Sequence, residues 1–140
     1  MRVVLDTSVM IAAFRSRHGA SNALLGLGAQ RRLVLLATPV LFLEWEDVLK
    51  RPEQLAAAAT APAEVDELLR ELAAIVEPVS VRFQWRPQLA DPSDEFVLEA
   101  AVNGRADAIA TFNVKHFQAA SRRFGLEALT PGMVVRRIGR

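Results

Sequence analysis

Cysteine and tyrosine are both missing from the 140 residues, and histidine occurs only twice. Without cysteine there is no disulfide framework, no thiolate zinc site and no thiol nucleophile. Acid–base and ligand chemistry therefore falls mostly to carboxylates. A surplus of one charge is missing as well: 17 Lys and Arg against 16 Asp and Glu leave +1, so no overall field announces a polyanion partner. No apolar run approaches the ~20 residues of a membrane helix, and the N-terminus opens as a strand and not as a signal segment. A cytoplasmic protein that does not engage a membrane is the expectation. What is present is a 51% hydrophobic chain with 7 Gly and 7 Pro, enough for one domain over residues 1–140 with its own core. The charge is unevenly spread. The first 120 residues hold 12 bases and 15 acids, whereas the last twenty hold five Arg against Glu127 alone.

Arg2 to Leu5 is a short β-branched run that ends on Asp6, with Thr7 and Ser8 opening an apolar helix through about Phe14. A second helix is expected over Ser21 to Arg32 and a second strand over Leu33 to Ala37. Thr38-Pro39 is a cap followed by a first-turn proline, opening a helix through Arg51 that Pro52 ends. Ala-rich helical sequence runs to about Ile75, broken near Pro62, and Val76 to Phe83 is expected as a third strand. Asp91-Pro92-Ser93-Asp94 opens a helix that Asn103-Gly104 closes. Ala106 to Thr111 is a strand, Asn113 to Arg123 a short helix, Glu127 to Leu129 a last strand, and Pro131 begins a final helix. Strands alternating with helices specify a three-layer α/β/α fold around a mostly parallel sheet. Ligands of such sheets bind at the strands' carboxyl ends, which directs attention to the residues after Leu5, Ala37 and Thr111.

Most acids sit on solvated helix faces. Glu46 and Asp47 find Lys50 and Arg51 four residues on, the favourable order. Glu44 has no such partner and lies among Val40, Leu41 and Val48. Asp94 occupies the acid position of a capping box begun by Asp91, yet its helical neighbours are Val97, Leu98 and Ala101, so it should look inward while Glu95 and Glu99 take the outer face. Asp6 either caps the first helix or, at a strand's carboxyl end, does chemistry. Asp6, Glu44 and Asp94 would repel one another unless a cation shared them, and oxygen-only ligation selects Mg²⁺ or Mn²⁺. The implied reaction is metal-assisted phosphodiester hydrolysis. An aspartyl-phosphate phosphatase would need a second Asp where Ser8 stands. No glycine-rich nucleotide loop and no nucleophile elbow occurs.

Val3-Val4-Leu5-Asp6-Thr7-Ser8-Val9, Thr38-Pro39 with Glu44, Asp91-Pro92-Ser93-Asp94, and Ala106 to Asn113 with His116-Phe117 together resemble the PIN-domain nucleases, in order from residue 2 to about 134. The likeness is greatest to VapC-type toxins of toxin–antitoxin pairs. It implies an RNA-cutting enzyme using Mg²⁺ or Mn²⁺, in which Asp6, Glu44 and Asp94 are the catalytic acids and Asn113 stands where an Asp is common, reaching the metal through water. It also implies a homodimer and an antitoxin partner. Asp91 would support the site as a further acid, Thr111 would orient Asp6 or Asn113, and Ser8 would bond metal water or cap. Asp107 begins its strand and lies roughly 13 Å from the far end at ~3.3 Å per residue. Arg15, Arg17 and His18 on one loop and Lys115 and His116 on another are candidate RNA contacts. Phe42, Trp45 and Trp85 read as core or dimer packing. The rival reading is a PIN scaffold that binds RNA or protein without cutting, which the missing charge at Asn113 supports.

Overall fold

The computed structural model describes residues 1–139. They form β1 (Arg2–Leu5), α1 (Thr7–Arg15), α2 (Ala20–Ala29), β2 (Val34–Ala37), α3 (Pro39–Leu49), α4 (Pro52–Ala57), α5 (Pro62–Ile75), β3 (Glu77–Pro78), α6 (Pro92–Asn103), β4 (Ala108–Ala110), α7 (Val114–Arg123), β5 (Glu127–Leu129) and α8 (Pro131–Ile138). All strand pairs are parallel, in the order β3-β2-β1-β4-β5. The chain winds from β1 towards β3, then crosses the sheet and winds the other way from β4 to β5. Right-handed crossovers therefore put α1 to α5 on one face and α6 and α7 on the other, giving the three layers. α6 lies across β1, β2 and β4, and α8 returns to pack on α2. The inner strands are fully buried hydrophobic runs, Val3, Val4, Leu5, Leu35, Leu36, Ala108 and Ile109 among them, as a sheet covered on both faces requires.

Local chemistry explains where elements stop. Thr38 Oγ1 accepts from Leu41 N at 3.1 Å, capping α3 just before Pro39. α2 ends short of Arg32, because Arg31 turns left-handed (φ 58°) and Arg32 N donates to Leu27 O at 3.0 Å. The third strand shrinks from the expected Val76–Phe83 to two residues. Pro78 has no N–H to give, and after Val79 donates to Ala37 O at 2.9 Å the chain leaves the sheet and travels along α6.

Glycine has a structural reason at one helix position. At Gly28 an added Cβ would lie 2.7 Å from Leu35 Cδ1 and 3.0 Å from its Cγ, so the absence of a side chain lets α2 settle onto β2. At Gly26 a Cβ would meet nothing. Gly26→Ala should accordingly stabilise the fold by about 1 kcal/mol through helix propensity. Gly28→Ala should destabilise it by about 1 kcal/mol, because overpacking against a buried leucine outweighs the same propensity gain. Urea denaturation of the two variants checks the opposite signs.

Candidate active site

The order of crossovers reverses between β1 and β4, so the crevice at their carboxyl ends is the expected ligand position. Leu5 pairs with Ala110 there, and Asp6 N donates to Ala110 O at 2.9 Å, which sets Asp6 beside Thr111. Asp6 is buried, and two hydroxyls hold its carboxylate. Ser8 Oγ and Thr111 Oγ1 both donate to Oδ2, each at 2.7 Å. Each hydroxyl is itself fixed from behind by a backbone N–H, Phe112 N to Ser8 Oγ at 3.3 Å and Asn113 N to Thr111 Oγ1 at 2.9 Å. Among the described residues none donates to Oδ1, which is left uncommitted. Neither hydroxyl therefore serves as a helix cap.

Asp94, in the first turn of α6, is 8% exposed. Asp91 caps that helix, its side chain accepting from Ser93 N at 2.9 Å. Asp94 does not close a capping box back onto Asp91. Instead its Oδ2 lies 3.5 Å from His116 Nδ1. Burial pushes its carboxyl up to about 6, and the charges of Asp6 and Asp91 push the same way against a smaller opposing pull from His116. Asp6 and Asp94 thus share one patch of field at the carboxyl edge.

The expectation that Glu95 and Glu99 face solvent is overturned. Both are buried, because residues 79–91 lie over that side of α6. Glu95 Oε1 accepts from Gln88 N at 2.6 Å and Leu89 N at 2.8 Å, and Glu99 pairs with Arg86, with Nη2 to Oε2 at 2.8 Å. No signal in the local helical pattern could show a strap arriving from outside the helix.

Glu44 is half-buried in the second turn of α3, a helix that packs on both α1 and α6. Among the described residues it forms no hydrogen bond or ion pair, and no three Asp, Glu or His side chains are gathered closely enough to hold a metal. What the structure joins is Asp6 with Ser8 and Thr111, and separately Asp94 with His116, the two acids being near enough for the charge of Asp6 to act on Asp94. Asn113 is the cap residue of α7, but its side chain makes no capping bond and stands exposed beside them. Lys115, also exposed, is on the same first turn. Arg15 lies at the other end of α1, about 12 Å along it at ~1.5 Å per residue, and bonds Gln54 Oε1 at 2.5 Å. It lines, with Arg17, a groove of about 450 Å³ whose other wall carries Glu64, Glu67 and Glu71. His18 is exposed on the intervening loop. Asp107 sits at the opposite edge of the sheet, where Oδ2 accepts from Arg2 N at 2.8 Å. Trp45 is core, 0% exposed, and Phe42 packs against it, but Trp85 is 44% exposed and so does not belong to the core.

The donor set is chemically suited to a hard divalent cation. It consists of carboxylates and an amide, with one oxygen of Asp6 uncommitted and Asp94 destabilised as an anion by burial and by its neighbours, a penalty that a nearby cation offsets. Among the described residues no helix is long and apolar enough to cross a membrane. The family model described as PIN domain matches residues 2–115, which include Asp6, Ser8, Glu44, Asp94, Thr111 and Asn113 and stop one residue short of His116. PIN domains are usually nucleases, hydrolases of RNA or DNA, and typically use divalent metals. No curated protein matches the chain.

The raised carboxyl of Asp94 has a sign in stability. In metal-free buffer the folded state holds this proton over a range where the unfolded chain, at 3.8, has lost it. Stability contributed by the group is complete below about pH 4 and is lost as pH rises to about 6. The loss is at most about 3 kcal/mol at 1.36 per unit, and less where solvent screens the rim. Asp94→Asn should flatten that decline and melt higher than the parent above pH 6. Melting temperature against pH in chelating buffer checks this, and parallel profiles for the two proteins would refute it.

Proposed function

Because the chain belongs to the PIN domain family, we propose that it is an endoribonuclease that hydrolyses RNA phosphodiester bonds with Mg²⁺ or Mn²⁺ at the carboxyl edge of its sheet. The observation that carries this reading is Asp6, buried at the β1–β4 crevice with Oδ2 fixed by two hydroxyls and Oδ1 free, in the field of Asp94. In this reading Asp6, Glu44 and Asp94 hold the ion, and Asn113 reaches it through water. Held there, such an ion would supply activation of the attacking water and neutralise charge on the leaving oxygen. Ser8 and Thr111 keep Asp6 in one orientation, so its free oxygen needs no reorganisation when the ion binds. Asp91 adds negative potential that favours a cation. Lys115 and His116, on the first turn of α7, contact the scissile phosphate's neighbours. The acids across the groove from Arg15 and Arg17 weigh against the same role for that loop, since they repel phosphate. The motif set further supports the toxin half of a toxin–antitoxin pair, acting as a homodimer until an antitoxin covers it.

Mn²⁺-dependent cleavage of a mixed RNA panel tests the activity. Asp6→Asn and Asp94→Asn should each lower the rate at least about 100-fold, the scale of losing one well-placed electrostatic group, with far-ultraviolet dichroism unchanged. Retained turnover in the double variant would place the activity elsewhere. RNA bound in the presence of metal but never cut would favour the non-catalytic scaffold.

Asn113 separates one part of the site from the rest. Restoring a carboxylate there should tighten Mn²⁺ binding, because another anion stabilises the cation more than its own desolvation costs once metal is present. Calorimetric titration of parent and Asn113→Asp checks it. Equal affinities would remove Asn113 from the metal site and leave the three acids.

A further inference from the structure

The segment that buries Glu95 and Glu99 carries a surface of its own. Residues 78–90 contain no acid, and they contain Arg82, Phe83, Trp85 and Arg86. Phe83 is 59% and Trp85 44% exposed, although each is a large apolar side chain. They stack, with ring centroids 5.4 Å apart and planes at 24°, and Trp85 meets Phe124 at the end of α7 at 5.3 Å.

This three-ring ladder is held rigidly from below. Asn103 Oδ1 accepts from Arg82 N and Phe83 N at 2.8 and 2.9 Å, and its Nδ2 donates to Phe83 O at 2.9 Å. Further along, Arg86 pairs with Glu99 and lies over the Phe96 ring at 5.2 Å. Glu95 then holds Gln88 and Leu89. The strap thus follows α6 from its last residue, Asn103, back to its first turn, where Asp94 stands at the catalytic edge.

Along the strap itself, residues 78–90, the charges are of one sign, and acids enter only where it ends at Asp91 and the first turn of α6. Arg82, Arg122 and Arg123 are exposed, and among the described residues none is in an ion pair; Arg123 bonds only the amide of Gln88. The acids closest on α6, Glu95 and Glu99, are buried and already bonded, so they do not cancel the field outside. Exposed stacked aromatics beside unpaired guanidinium groups suit a ligand with flat bases and a phosphate backbone. They do not suit a second copy of this chain seated symmetrically, since a two-fold contact sets the patch against itself and arginine against arginine.

We propose that Phe83, Trp85 and Phe124, with Arg82, Arg122 and Arg123, form a binding tract for single-stranded RNA that leads along α6 to the cleavage edge. The tract rests on the nuclease reading for its ligand class, and it makes single-stranded RNA preferred over duplex, whose bases are stacked on each other and closed to the rings.

Trp85 is also the reporter. The other tryptophan, Trp45, is 0% exposed, so an oligonucleotide that stacks on the tract should quench Trp85 emission. The titration uses the full chain in chelating buffer, with an oligouridylate of roughly 10 nucleotides and a duplex of equal length. The single strand should quench and bind with a salt-dependent affinity, and the duplex should bind more weakly. Binding followed by anisotropy of labelled RNA should weaken about tenfold in Trp85→Ala and be restored in Trp85→Phe. Arg82→Ala should lower the salt slope by about 1 with the fold intact. Parent affinity in both Trp85→Ala and Arg82→Ala would overturn the tract, as would concentration-dependent dimerisation that Trp85→Ala abolishes while RNA leaves the emission unchanged. Quenching that persists in a protein that never cleaves RNA when metal is added would end the nuclease reading and leave the tract standing.

Discussion

The parallel pairing of β1 with β4 is the constraint on which the carboxyl edge depends. These strands are adjacent in the sheet but separated by about a hundred residues of chain, and their connections leave in opposite directions. A crevice forms at such a reversal because no crossover helix covers it from either side. The bond from Asp6 N to Ala110 O then sets the register of everything above it. With that register Thr111 reaches Asp6 Oδ2; a slip of one residue would turn Thr111 to the other face of the sheet and leave a buried carboxylate with one hydroxyl less.

The molecule treats buried acids in two opposite ways. Glu95 and Glu99 are tied down, one by two backbone N–H groups that share its Oε1 and the other by a guanidinium, so each serves as an anchor for the strap. A buried charge that is bonded in this way locates a segment, and removal of its partner is costly. Asp94, on the same helix, is left short of partners. Burial and two neighbouring acids push its carboxyl up, and His116 at 3.5 Å compensates only in part. A polar group kept underbonded at a crevice marks where a ligand is meant to complete the set.

Helices and strands were largely legible, because hydrophobic period, first-turn prolines and caps such as Thr38 and Asp91 act within a few residues. The positions of Asp6 and of Asp107 at opposite edges were legible because strand polarity alone tells which end a residue occupies, and the burial of Asp94 was legible from its apolar helical neighbours Val97, Leu98 and Ala101. The third strand was not. Val76 to Phe83 has strand composition, but Pro78 and the attraction of the segment to α6 end the pairing after two residues. Glu99 was misread on the same account, for a helical wheel counts neighbours on its own helix and omits Arg86, thirteen residues away. Trp85, read as core or dimer packing, is not core: it is an exposed member of the aromatic ladder.

By itself the amino-acid sequence determined the alternation of elements, the parallel sheet and the acids at strand and helix ends, since these follow from side-chain period and local hydrogen bonding. Only the tertiary structure decided which oxygen of Asp6 is committed and which is free. It also decided that Asp94 and not Glu95 or Glu99 stays short of partners, and that the arginine loop after α1 faces acids. Each of these depends on the distance between groups far apart in the chain, and burial, field and hydrogen bonding across such distances exist only once the chain has closed on itself.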